Sequence, residues 1–474
     1  MPTNGGMTGE PQSQGYRPVN AIADIADFLG DEVAAATFPQ AILRFRNDRA
    51  AGEVGLSELS DADWVAHFGR FTPLAGTLPR PLALRYHGHQ FQTYNPDLGD
   101  GRGFLFAQML DRDGRLMDLG TKGSGTTPYS RAGDGRLTLK GAVREILATE
   151  TLEALGVTTS RTFSVIETGE ALERGDEPSP TRSAVMVRLS HGHIRIGSFQ
   201  RLSALGQTAE LARLVEYCLH HFPGPDSSTG ASGNESPAVR LMTLATTRMA
   251  DLAASYMVAG FVHGVLNTDN INITGESFDY GPWRFLPRWD PAFTAAYFDH
   301  QGLYAFARQP EAIRWNLGQL AIALRPLSDA APLIAAFERF GPLYEEALLR
   351  RFCWRLGIAP RGREADAALL SASEQFMRES GMAPDRFFFG LRRGKVPTDA
   401  LADMLDAYGS PRTGHNYWRG DAPQSLLIEE VERIWSAIEQ RDDWQPLHDK
   451  VAALRVMGEA MGRPPASVSR FATP

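Results

Sequence analysis

The stretch His263-Gly-Val-Leu-Asn-Thr-Asp-Asn270, followed nine residues later by Asp279-Tyr-Gly281, decides how this chain is read. Asn270 and Asp279 are hard oxygen donors of the kind magnesium takes, with phosphate and water filling its other positions. Asp269 stands beside Asn270, where a carboxylate can accept a proton from an incoming hydroxyl. Two polar turns would be the plain alternative. That alternative leaves the joint occurrence of His263, Asn270 and Asp279-x-Gly281 without a reason.

The seven-residue separation of His263 and Asn270 matches the H-R-D-x-x-x-x-N loop of protein kinases, and Asp279-x-Gly281 matches their metal-binding D-F-G. The kinase base position, however, is Val265. An apolar side chain accepts no proton. The loop therefore belongs either to a silent kinase or to a site that does different chemistry on ATP.

Working outward, 474 residues with 43% hydrophobic content suffice for two lobes with substantial cores. A net charge of -8, from 48 basic and 56 acidic residues, argues against a nucleic-acid partner, which wants a basic face. The two cysteines, Cys218 and Cys353, lie outside any C-x-x-C spacing. A disulfide framework or zinc site is not expected, and a reducing, cytoplasmic setting is. No run of eighteen apolar residues could span a bilayer, and the first residues lack a basic stretch followed by an apolar core.

Composition divides the chain into a disordered tail over 1–20, a mixed α/β nucleotide-binding lobe over 21–200, and a mainly helical lobe over 201–474 that carries the metal-binding loop. The expected class is α+β, a protein-kinase-like two-lobe fold. Apolar runs predict strands over 103–110 and 184–189. A helical stripe covers 139–155 and ends at Gly156. Residues 224–236 read as a mobile polar loop. Residues 239–262 read as a long helix feeding into His263, and 331–352 and 423–439 as further helices.

Several other segments bear groups suited to an anionic ligand. In Leu98-Gly-Asp-Gly-Arg-Gly103, Gly99 and Gly101 would let the backbone approach a phosphate and Arg102 adds a planar charged fork; the same residues make an ordinary hairpin turn. Lys122 lies in a glycine-rich segment, 23 residues before Glu145 on the predicted helix. A strand lysine paired with a helix glutamate is the kinase device for holding nucleotide phosphates, though on spacing alone the two need never meet. Asp134 and Gly135 form a second glycine-rich turn, and Arg188 and Arg195 flank Ser190-His-Gly-His-Ile194. The pairs His87/His89 and His191/His193 share a strand face and could bind a metal, but no acid stands at ligand spacing. Hydrogen-bonded structural histidines are the expectation.

Together these blocks carry a resemblance. Tyr86-His-Gly-His-Gln-Phe91, Leu98-Gly-Asp-Gly-Arg102, Asp118-Leu-Gly-Thr-Lys-Gly-Ser-Gly-Thr-Thr-Pro-Tyr-Ser-Arg131, Ser190-His-Gly-His-Ile-Arg-Ile-Gly-Ser-Phe199 and Gly260-Phe-Val-His-Gly-Val-Leu-Asn-Thr-Asp-Asn270 resemble the selenoprotein O (SelO) family, protein adenylyltransferases with a pseudokinase fold. The resemblance implies ATP bound in reverse, so that AMP rather than the γ-phosphate moves to a Ser, Thr or Tyr hydroxyl of a protein substrate. It implies that Lys122, Glu145, Arg102, Arg188 and Arg195 serve the phosphates, and that Gly99, Gly101, Asp134 and Gly135 line the nucleotide. Asn270 and Asp279 would hold Mg2+ or Mn2+, Asp269 would be the base, and UTP is a second possible donor. Trp283 stands where some members carry a cysteine, and no Cys-x-x-Cys follows toward residue 474, so the redox switch of those members is not expected.

Overall fold

The computed structural model describes residues 15–175, 177–224 and 235–465. Most of the loop expected over 224–236 lies outside the described residues, as does the tail up to residue 14.

The N-terminal lobe is built on a nine-stranded antiparallel sheet. Its strands are β1 (Pro18–Val19), β2 (Gly30–Glu32), β3 (Ile42–Arg46), β4 (Leu82–Leu84), β7 (Leu105–Leu110), β8 (Leu116–Lys122), β9 (Leu137–Thr138), β10 (Arg161–Leu172) and β11 (Thr181–Ser190). The omitted β5 (Gly88–Gln90) and β6 (Thr93–Asn95) form a separate hairpin. The order runs β2-β4-β7-β8-β11-β10-β3, with β1 on β7 and β9 on β11. Pro18–Val19 corrects the expected tail: its last residues are pinned to Met109 and Gln108.

The period of two along β8 and β11 divides the lobe. Met117 and Leu119 on β8, with Val185, Val187 and Leu189 on β11, enter an outer core around Trp64, Phe68 and Phe163, where Trp64 stacks on Phe163 at 4.9 Å. The alternate residues Asp118, Gly120 and Lys122 face the other way. The register sets them opposite Ser190, Arg188 and Met186 respectively. Along β8 and β11 one face thus packs into an apolar core and the other carries Asp118, Lys122 and Arg188.

That second face is covered by the helix Leu139–Ala154. Its N-terminus is capped by Thr138, whose side chain accepts from the Gly141 amide, a contact worth about 1 kcal/mol. Leu139, Val143, Ile146 and Leu147 are buried in the main core, and the chain leaves through Gly156 at φ 76°, as expected. The helix Gln445–Met461 packs along it, with Arg455 bonding Glu150 at 2.5 and 2.9 Å. The far C-terminal part of the chain therefore returns to brace the N-terminal lobe.

The mainly helical lobe follows the helix Ile196–Ala204, which straddles the expected boundary at 200/201. Its central helix, Pro237–Ala259, starts at a Ser236 cap with proline in the first turn and stops at Gly260 in the left-handed conformation. It was expected to run to Val262. Gly260 ends it because a left-handed residue cannot propagate a right-handed helix. Phe261–His263 instead form β12, paired with β13 (Trp283–Phe285) so that His263 faces Trp283. The helix expected over 331–352 is two, Ala330–Glu338 and Phe340–Leu356, and that over 423–439 is Ile428–Arg441. The result is α+β, a protein-kinase-like arrangement of two lobes with a cleft between them.

The lobes are joined at the segment before Asp279. The Ser160 amide donates to the Ser277 carbonyl and the Ser277 amide to Thr158, both at 2.9 Å. Beside them the buried Glu276 accepts the His191 amide at 2.7 Å. Burial pushes the Glu276 carboxyl from 4.5 up to about 7, against the lowering effect of that hydrogen bond. A carboxyl that holds its proton more tightly when folded adds stability below its unfolded pKa, and that stability is lost as pH rises through the folded value. We expect the native protein to lose up to about 3 kcal/mol relative to Glu276→Gln between pH 4.5 and 7. Urea unfolding midpoints of both proteins at pH 5 and pH 8 check this; midpoints that shift in parallel refute it.

Candidate active site

Lys122, at the end of β8, meets Glu145 of the helix Leu139–Ala154 at 2.7 Å, so the pair left open by spacing is formed. Burial lowers the lysine pKa and Glu145 opposes the shift. Glu145 also lies 3.9 Å from the Arg188 guanidinium of β11, because Arg188 is opposite Gly120, one alternate position from Lys122.

Arg188 in turn donates to Asp279 Oδ1 at 2.5 Å, and Arg195 donates to Oδ2 at 2.9 Å and to Asp100 at 3.0 Å. The two arginines pack on the same Phe278 ring, at 5.1 and 5.0 Å. Burial alone would raise Asp279, but Arg188, Arg195 and Lys122 hold its carboxyl far below the ordinary carboxylate range. Asp279 has φ 58°, sparsely populated for a residue with a side chain. The backbone turns there so that the carboxylate faces both guanidiniums.

His263 fixes the loop to this turn. Its Nδ1 accepts from the Val265 amide and its Nε2 lies 3.3 Å from the Phe278 carbonyl. Burial lowers the ring to about 4, so it is neutral, with the proton on Nε2. Val265, where a base would stand in a kinase, uses its backbone instead: its carbonyl accepts from Asn270 Nδ2 at 3.0 Å. The amide nitrogen is thereby engaged, leaving Asn270 Oδ1 as the donor available to a cation. Asp269 is half-buried, with its Oδ1 enclosed and, among the described residues, without a hydrogen-bond partner. Burial raises its carboxyl from 3.8 to about 6.

These groups line one cleft of about 720 Å³. Seven basic residues line it against four acidic ones, a balance suited to a polyphosphate. Gly99, Gly101, Arg102, Asp134 and Gly135 are on its wall with Lys122, Arg188, Arg195, Asp269, Asn270 and Asp279. Glu145 stands behind, lining an adjoining cavity of about 270 Å³. Arg102 makes no ion pair among the described residues, whereas the Asp134 carboxylate is taken by Arg174 at 2.9 Å and by the Arg136 amide. Gly135 needs its positive φ of 69°. Gly99 has a packing reason of its own, because a Cβ there would collide with the Tyr129 ring.

The donor set fits a hard divalent cation: an amide oxygen from Asn270 and the Asp279 carboxylate, both on the cleft wall, with phosphate and water to fill the remaining positions. The histidine pairs are engaged elsewhere. His87 bonds the Tyr94 hydroxyl, His89 bonds Gln200 and His191 bonds the Leu116 carbonyl. His193 bridges Asp118 and Arg188 Nε, each at 3.3 Å, and so helps aim that arginine.

Sequence reasoning missed three contributors. Asp100, quoted only as a turn residue, is the second anchor of Arg195. Asn267 accepts both the Phe91 amide and the Tyr304 hydroxyl. Asp118 supports His193. Each acts through a partner distant in sequence, which spacing alone does not reveal.

A two-lobe kinase-like fold with a cationic cleft, a paired lysine and a loop lacking the kinase base defines a nucleotide-using pseudokinase. Residues 16–408 match the family model described as protein adenylyltransferase SelO. The chain is 41% identical to the protein nucleotidyltransferase YdiU of Synechocystis sp., across 93% of this chain and 98% of that one. It is 43% identical to the YdiU of Gloeobacter violaceus, across 93% and 95%. Overlap with a solved structure, the ROP2 protein of Toxoplasma gondii, is faint, with a TM-score of 0.28 at 12% identity over 77% of this chain and 94% of that one. The chain belongs to the SelO family of protein adenylyltransferases.

Glu145→Ala should weaken ATP binding about tenfold or more, since a hydrogen bond to a charged group is worth about 1.5–3 kcal/mol and 1.4 kcal/mol is a factor of ten. Calorimetric titration with ATP measures it. An unchanged affinity would restrict the Lys122–Glu145 pair to packing.

Proposed function

We propose that the cleft transfers AMP from ATP to a Ser, Thr or Tyr hydroxyl of a protein, with Asp269 as the base. The observation that carries this reading is the state of Asp269. It is a half-buried carboxylate raised to about 6 by desolvation, with one enclosed oxygen that has no hydrogen-bond partner among the described residues, one residue from Asn270, in a loop whose kinase base position is Val265. A base is most effective when its pKa lies near the working pH. The cationic wall of Arg102, Lys122, Arg188 and Arg195 suits the three phosphates.

In this reading the nucleotide lies with its α-phosphate toward Asp269 and its outer phosphates toward Lys122 and the arginines. Asp269 takes the proton of the acceptor hydroxyl as the oxygen attacks the α-phosphorus and the bond to the leaving pyrophosphate breaks. The guanidiniums of Arg188 and Arg195 are fixed in advance by Asp279 and Asp100, so they need no reorganisation to meet the developing charge. Asn270 and Asp279 would hold Mg2+ or Mn2+, which neutralises charge on the pyrophosphate when bound. UTP shares the triphosphate and is the alternative donor. A cytoplasmic setting fits Cys218 and Cys353, both free and buried, and among the described residues no helix is long and apolar enough to cross a membrane.

Incubation with Mg2+ and either α- or γ-labelled ATP separates the readings. Label on protein from the α position only is the expected result. Label from the γ position only would make this an orthodox kinase, and none from either would make it a silent nucleotide-binding scaffold. Asp269→Ala should lower α-label transfer about 10²–10⁴-fold, the usual contribution of general-base catalysis. Asp279→Ala should abolish metal-dependent transfer while circular dichroism remains native.

A further inference from the structure

Among the described residues, the large apolar side chains left exposed include four aromatics: Phe91 and Tyr94 at 38%, Phe298 at 40% and Tyr297 at 83%. All four lie on two segments that touch. The hairpin of β5 and β6 turns at Phe91 and Gln92, whose φ angles are 49° and 62°. Such a turn favours Asn or Gly. The Phe91 ring is held over the helical lobe, 5.1 Å from Tyr304 and 5.9 Å from Phe298, and Phe298 lies 5.1 Å from Tyr297. Backbone held in a disfavoured region by its surroundings clusters at functional sites.

The hairpin is also tied to the loop that carries the base. The His89 amide donates to Thr268 Oγ1 at 2.7 Å and the Phe91 amide to Asn267 Oδ1 at 3.1 Å. Gln90, between them, lines the same cleft as Asp269. The aromatic surface therefore starts at Phe91, one residue from Gln90 on the cleft wall, and continues through Phe298 to Tyr297. An acceptor hydroxyl bound for Asp269 brings its flanking residues across this ground. Because Asp269 lies half-buried on the cleft wall, an extended chain can deliver a hydroxyl to it where a flat folded surface cannot.

We propose that Phe91, Tyr297 and Phe298 form the docking surface for an extended segment of the acceptor protein, taking a large apolar side chain that flanks the modified residue. This rests on the transfer reading above. The test uses the full chain, α-labelled ATP and a peptide library with a fixed Ser, Thr or Tyr and every flanking position varied. The native protein should prefer a large apolar residue at a defined flanking position. The double variant Tyr297→Ser/Phe298→Ser, two surface residues outside the cleft, should lose that preference. Its KM for the preferred peptide should rise about tenfold, with kcat within twofold and calorimetric ATP affinity unchanged. A native protein without flanking preference, a preference that survives in the variant, or label confined to folded proteins would each overturn the docking surface. A dimer that dissociates in the variant, seen by sedimentation, would give the surface to a second copy and overturn it as well. No α-label on any peptide or protein would instead sink the transfer reading, and the docking surface with it.

Discussion

Two guanidiniums share one carboxylate at the centre of this molecule: Arg188 and Arg195 both close on Asp279. Removing three charges from water costs several kcal/mol each, and that cost is recovered only when the partners are close and hydrogen-bonded. The constraint reaches through the fold. Arg188 is placed by its register opposite Gly120, and Arg195 by the start of the helix Ile196–Ala204. Asp279 is placed by a left-handed residue that follows Phe278, whose ring both arginines cover. Strand, helix and loop from two lobes must all be correct for the charges to cancel. Such a network is weak evidence for stability and stronger evidence for a fixed arrangement.

The same balance explains why the cleft can stay charged. With Asp279, Asp100 and Glu145 close by, the arginines and Lys122 are neutralised in place, yet each keeps N–H groups that a phosphate could engage. A polyphosphate would draw on cations already positioned and already desolvated, so little reorganisation remains at binding. Asp269 feels the same Arg195, and Asp279 as well, but is shifted the other way, because desolvation outweighs the lowering effect of Arg195. Among the described residues its Oδ1 lacks a hydrogen-bond partner, and its carboxyl is shifted upward while Asp279 is shifted downward. Two carboxylates pushed in opposite directions by their surroundings are suited to different roles, one to hold charge and one to move a proton.

Much of this was legible in the sequence because the signals were local. Hydrophobic periodicity gave the helix Leu139–Ala154 nearly to the residue, and continuous apolar runs gave β7 and most of β11. The spacing of His263, Asn270 and Asp279 located the loop. Other features were hidden for physical reasons. From Met257 to Val262 the sequence is apolar on both sides of Gly260, so periodicity could not show that Gly260 turns left-handed and hands three residues to a strand. Pro18–Val19 reads as tail because two residues carry no pattern; the edge of β7 orders them. Lys122 and Glu145 could be paired only as an analogy until the register of β8 put the lysine on the face that the helix covers. Asp100 and Asn267 act on residues 95 and 176 positions away, beyond the reach of any spacing rule.

Val265 shows how a lost group can be reconciled with an intact site. In a kinase loop that position contributes a side chain. Here the side chain packs against the main core, while the carbonyl fixes the Asn270 amide. The backbone role survives without the side chain, and under the proposed transfer the proton-accepting role would fall to Asp269, whose amino-acid type the kinase pattern leaves unspecified. A loop in decay would be expected to lose its supports as well. Instead His263 still joins the Val265 amide to the Phe278 carbonyl, and the Asn316 side chain holds the Leu266 carbonyl at 2.6 Å. Supports that precise, around a position with no acid, hold the loop in one arrangement and keep Asn270 and Asp269 on the wall of the same cleft.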